Sequence, residues 1–134
     1  MTKIYSSKKI LVADDTAFLR TSLIKDLVDL GFDKGNILEC ENGRVAYDNL
    51  IASAEKNDHF DLILSDWNMP KLNGLEFLKL VRGSKKYFSD IPFILITTVS
   101  EKEKIVEALS YNVSSYIIKP IQLKKLQETI VRFI

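Results

Sequence analysis

Four short apolar runs in this chain end in groups capable of chemistry: LVADD closes on Asp14 and Asp15, LILSD on Asp66, FILIT on Thr97 and YIIK on Lys119. Three carboxylates, a hydroxyl and an ammonium act together only if those run ends lie side by side. Carboxylates within ~4–6 Å of one another repel by about 3–4 kcal/mol per pair at an effective dielectric of ~20. A cluster of three therefore needs a counter-charge. Mg²⁺ supplies one, since it is held by one or two carboxylates and leaves the rest of its shell to water and phosphate oxygens. A phosphoryl group placed there would find a compact cation in Lys119 and a hydroxyl donor in Thr97. Phosphoryl transfer requires in-line positioning and charge neutralisation more than covalent assistance, and an aspartate can itself be the nucleophile. The chemistry these residue types indicate is magnesium-assisted transfer of a phosphoryl group to one of these aspartates.

The elements that would bring those ends together are legible as an alternation. KKILVA (8–13), NILECE (36–41), DLILS (61–65), PFILIT (92–97) and SYIIK (115–119) are apolar and rich in Ile, Leu and Val. Between and after them come AFLRTSLIKDLVDL (17–30), RVAYDNLIASAEK (44–56), LEFLKLVRG (75–83), EKEKIVEALSY (101–111) and QLKKLQETIVRFI (122–134). In the first of these, Phe18, Leu19, Leu23, Leu27 and Leu30 recur near the helical period, and Gly31 follows as a stop. Near-continuous apolar strands predict burial on both faces, the mark of a parallel sheet covered by helices. Five strand–helix units predict an α/β, flavodoxin-like doubly wound (βα)5 domain with strand order 2-1-3-4-5. Ligands of such sheets bind beyond the carboxyl ends of the strands, where the order reverses. That edge carries every group named above, while Glu41-Asn42 falls outside the first strand.

Composition narrows the alternatives. With 134 residues the chain has the size of one domain, and 19 Lys plus Arg against 18 Asp plus Glu leave a net charge of +1. Nothing in that balance favours nucleic acid or an anionic membrane as a partner. MTKIYSSKK lacks the apolar core of a secretion signal, and no apolar run approaches the roughly 18–20 residues of a membrane span. A soluble cytoplasmic protein is expected. The single cysteine, Cys40, excludes an intrachain disulfide and reads as a packed strand residue.

Each residue alone has a plainer reading. Asp15 could be a helix N-cap, Asp66 a turn residue before Met69-Pro70, Thr97 and Thr98 strand formers, Tyr116 and Trp67 packing residues, and Lys119 a solvated lysine. The joint pattern, with each group closing a different strand, argues against all of these at once.

In this order and spacing, LVADD, LSDWNMP, LNG, FILIT and YIIKP resemble the receiver domain of two-component response regulators, and among those the single-domain chemotaxis regulators of the CheY type. The resemblance covers essentially all of residues 1–134 and implies one receiver domain with no output domain. It implies that Asp66 accepts a phosphoryl group from a CheA-like histidine kinase. Asp14 and Asp15 would form the acid pocket with Asp15 a direct Mg²⁺ ligand, and Asn68 would add its backbone carbonyl. Thr97 would be the switch hydroxyl, Lys119 the phosphate-binding ammonium, Tyr116 the switch aromatic, and Pro120 would follow a cis peptide. Signalling would pass through a face containing Lys102, Ile105, Val106, Tyr116 and Lys124 to a flagellar motor switch protein or another protein target. A monomer is implied, catalysing only its own phosphorylation and dephosphorylation. A phosphorelay receiver unconnected with motility is the alternative. An aspartyl-nucleophile phosphatase fits less well, because Asn68 stands where its general acid is required, and a flavodoxin would need a Thr-, Ser- and Gly-rich loop in place of DDTAFL. Departures from the family pattern are Asn112-Val113 for the usual Gly-Ala, the bulky Thr98, and Val99 where the enteric chemotaxis proteins have Glu. Asn tolerates the left-handed conformation such a turn needs. Val99 cannot orient an attacking water by charge.

Overall fold

The computed structural model describes residues 4–98 and 102–134. Five parallel strands, β1 (Ile10–Ala13), β2 (Ile37–Cys40), β3 (Leu62–Asp66), β4 (Phe93–Thr97) and β5 (Ser115–Ile118), form one sheet in the expected order β2-β1-β3-β4-β5. The helices are α1 (Ala17–Asp29), α2 (Gly43–Glu55), α3 (Gly74–Arg82), α4 (Lys102–Ser110) and α5 (Leu123–Ile130). None among the described residues is long and apolar enough to cross a membrane.

Alternate residues of each central strand face opposite layers. Leu11, Ile63, Phe93 and Leu95 point to the core shared with α2, α3 and α4, through Ala46, Leu50, Phe77, Leu78 and Ala108. Ile10, Val12, Leu62, Leu64, Ile94 and Ile96 point to the core shared with α1 and α5, through Leu23, Leu27, Leu126 and Ile130. Burial on both faces holds for β1, β3 and β4, whose every residue is buried. It fails for β2 and β5, which are partly open to solvent because each has a neighbour on one side only. Cys40 is buried, as its place in the run NILECE implied, and burial pushes its thiol up to about 12.

Register sets the functional edge. Ala13 pairs with Ser65, Asp66 with Ile96, and Thr97 with Ile118. Asp66 and Thr97 are thus the last residues of β3 and β4, and Asp14 and Lys119 stand one residue beyond β1 and β5, on adjacent strands about 4.8 Å apart. Two backbone stops behave as their residues predict. Gly31 ends α1 at φ 116°, and a Cβ there would also lie 3.0 Å from Ile4 Cγ1. Asn112 turns α4 into β5 with φ 59°. The chain end departs from a helix over 122–134: α5 stops at Ile130, and bonds from Arg132 to Thr129 and from Phe133 to Ile130 tighten the chain so that Phe133 and Ile134 return to the core.

Candidate functional site

The acid pocket is built from the ends of β1 and β3. Ligand oxygens of Asp14, Asp15 and Asp66 all lie within 4.8 Å of one another, with Asp14 and Asp66 buried and Asp15 exposed. Asp14 is anchored by its backbone N–H on the Cys40 carbonyl at 3.0 Å, and its Oδ1 accepts from the Thr16 N–H at 2.8 Å. This local turn, not Asp15, engages the chain entering α1. The N-cap residue is Thr16, so the capping explanation of Asp15 is not what the structure shows.

Asp66 ends β3 with its Oδ1 doubly held, 2.9 Å from Lys119 Nζ and accepting from the Trp67 N–H at 2.9 Å. Lys119 reaches it because its own N–H donates to the Thr97 carbonyl at 2.7 Å, continuing the β4–β5 ladder past the last strand residue. The Lys119-Pro120 peptide is cis. Burial is the largest influence on both Asp66 and Asp14 and lifts both carboxyls above the ordinary carboxylate value. At Asp66 the hydrogen bond and charge of Lys119 pull the other way without cancelling burial, and Asp14 adds to the rise. One ammonium does not neutralise the carboxylates gathered here.

That uncompensated negative charge, presented by hard oxygen atoms, fits a small divalent cation such as Mg²⁺. Asn68 faces the same depression as Asp15, which Met69, Pro70 and Asn73 complete. Thr97 is buried at the end of β4, and its hydroxyl lies 3.4 Å from the Thr98 carbonyl. Val99 lies outside the described residues.

The surface residues are less uniform. Val106 is 73% exposed and Lys124 exposed, whereas Ile105 is only 6% exposed and packs beneath the face instead of forming it. Tyr116 is half-buried and lines a groove with Ser115, Ile118 and Lys125. Lys102 opens α4, and its side chain lies outside the described residues. Two charged residues at the pocket were not singled out from the sequence, Arg20 and Glu39, paired at 3.0 Å. Glu39 could have been noticed as a charge within the apolar run NILECE; Arg20 looks like any polar-face helix residue.

A doubly wound parallel sheet with an acidic pocket, a hydroxyl and a Lys-Pro pair at its switch point defines a receiver-like α/β domain. The chain belongs to the response regulator receiver domain family, whose family model matches residues 10–131. It is 41% identical over 120 residues to a chemotaxis protein CheY homolog of Campylobacter jejuni, covering 90% of this chain and 87% of that protein. It is 38% identical to the chemotaxis protein CheY1 of Helicobacter pylori, covering 90% and 91%. Among solved structures, the chemotaxis protein CheY4 of Vibrio cholerae superposes with a TM-score of 0.80 at 28% identity, covering 95% of this chain and 98% of that one. The chain is thus a CheY-like two-component receiver, one of a class of signalling proteins and not of classical enzymes.

Proposed function

We propose that the protein is a monomeric, cytoplasmic response regulator of chemotaxis that accepts a phosphoryl group on Asp66 from a histidine kinase. The observation that carries this reading is the buried Asp66 carboxylate, held 2.9 Å from Lys119 within reach of two further acids. Both bonds to Asp66 fall on Oδ1, which leaves Oδ2 as the attacking oxygen. In the transfer, the Oδ2–P bond forms as the P–N bond of a phosphohistidine breaks, and the imidazole leaves with the electron pair. Lys119 moves its contact from the carboxylate to a phosphoryl oxygen, and the Thr97 hydroxyl donates to another. Asp14, Asp15, Asp66 and the Asn68 carbonyl would hold Mg²⁺, which when bound neutralises charge on the phosphoryl oxygens.

The names of the relatives, both chemotaxis proteins, favour chemotaxis over a phosphorelay unconnected with motility. The target in this reading is a flagellar motor switch protein. The face carrying Val106, Tyr116 and Lys124 is the proposed contact surface. Incubation with acetyl phosphate and Mg²⁺ tests the acceptor: one phosphoryl group is expected by intact-mass measurement, and none in Asp66→Asn. Borohydride reduction that marks a different aspartate in the wild type would overturn the assignment.

A further inference from the structure

Arg20 reaches back from α1 to the end of β1. Its Nη1 donates to the Asp14 carbonyl oxygen at 2.5 Å, and its Nε donates to Glu39 Oε1 at 3.0 Å. Glu39 lies on β2 in register with Val12, two residues before Asp14. The Arg20 side chain is largely withdrawn from water, at 17% exposure, while that of Glu39 remains 44% exposed. The carbonyl it holds belongs to the peptide unit joining Asp14 to Asp15. Because that unit is planar and carries both Cα atoms, holding its oxygen restricts ψ of Asp14 and φ of Asp15, the torsions that set where the two carboxylate side chains leave the backbone.

We infer that Arg20, oriented by Glu39, is a positioning residue that aims the adjacent carboxylates of Asp14 and Asp15 at one cation. The inference rests on the magnesium reading above and extends it to two residues that touch neither the phosphoryl group nor the metal. Groups that orient a metal's ligands change its affinity by about 10–100-fold when removed. Charge alone predicts the opposite sign. A guanidinium beside a cation site repels the cation, so a purely electrostatic Arg20 would weaken Mg²⁺ binding and its loss would strengthen it.

Titration with Mg²⁺ alone, followed by emission of Trp67 next to Asp66, separates the two. Arg20→Gln and Arg20→Lys are both expected to bind Mg²⁺ about tenfold or more weakly, since neither forks between a carbonyl and a carboxylate. Glu39→Ala is expected to weaken binding, while Glu39→Gln, which keeps an oxygen acceptor for Nε, restores most of it. Metal-free melting of each variant shows whether the fold itself has been lost. Binding by Arg20→Gln that equals or exceeds the wild type overturns the inference. Should that variant not fold, unchanged affinity in both Arg20→Lys and Glu39→Ala overturns it equally. A wild type that shows no Mg²⁺ response overturns the magnesium reading and this one with it; a responsive wild type with unaffected variants overturns the positioning role alone.

Discussion

At the scale of single residues, the pocket stores repulsion. Burial raises the Asp14 carboxyl above its ordinary value of 3.8, and the folded state binds that proton more readily than the unfolded chain does. Folding stability contributed by this group is therefore present below that value and lost as pH rises through the folded-state one. At neutral pH and without metal, Asp14 is a net cost. Asp14→Asn keeps an oxygen to accept from Thr16 while removing the charge, so it is expected to stabilise the metal-free protein by about 1 kcal/mol or more. The gain should shrink as the solution is acidified past the ordinary carboxylate range, as urea unfolding at several pH values would show; equal stability of the two proteins at pH 7 would contradict it. Gly74 makes the opposite kind of statement. Its N–H donates to the Trp67 carbonyl at 2.8 Å, and a Cβ would sit 2.4 Å from the Asp66 carbonyl oxygen. Gly74→Ala must push the end of β3 away, and a loss of about 1–3 kcal/mol in urea unfolding is expected. Side-chain chemistry at the pocket could be read from residue type, but this close approach could not, because Gly-rich turns look alike until the backbone they abut is known.

Among the elements, the α4–β5 turn shows what local sequence decides and what it leaves to tertiary structure. Asn112 takes the left-handed conformation that its residue type permits. Its carbonyl accepts from Arg82 Nε at 3.0 Å, while Arg82 Nη1 donates to the Ser89 and Ile91 carbonyls at 3.0 and 2.7 Å. One half-buried arginine thus ties α3 to the 3₁₀ turn Tyr87–Asp90 and to the turn that leads into β5. Arg82→Met keeps the stem's packing but leaves several carbonyls without that donor, and should cost about 2–3 kcal/mol. Asn112→Ala should cost about 1–2 kcal/mol and Asn112→Gly little, measured by the same unfolding midpoints. The strands and helices themselves were legible because each is a short apolar run or an amphipathic stretch. The 3₁₀ turns and the early end of α5 were not, since they follow from where polar backbone groups find partners across the fold. Lys71, at φ 67°, has no residue-type signal at all.

For the whole molecule, strand order and the functional edge were legible together, because alternation fixes a parallel sheet and a parallel sheet fixes which strand ends can meet. The output face was less so: it needs exposure, and Ile105, which the family resemblance put on that face, faces inward at 6%. The proposed signal must cross from Asp66 to that face through Thr97, at the end of β4, and Tyr116, whose residue pairs with Leu95 on the same strand. In this proposal, a phosphoryl group that drew the Thr97 hydroxyl toward it would vacate space into which the half-buried Tyr116 ring could turn. If the active form is about 1% populated at rest, raising it to about 99% requires ~5.5 kcal/mol of preference for the phosphorylated pocket, and a smaller preference gives a graded response. Beryllofluoride with Mg²⁺ should shift amide signals of residues 102–111 and 115–124 as well as those of the pocket, and a motor-switch peptide should then bind that face more tightly than in the unloaded protein. Thr97→Ala should keep beryllofluoride binding at Asp66 while losing the distant shifts. Shifts confined to the pocket and the start of α1 in the wild type would show that this route carries no signal, and would favour phosphorelay over motor control.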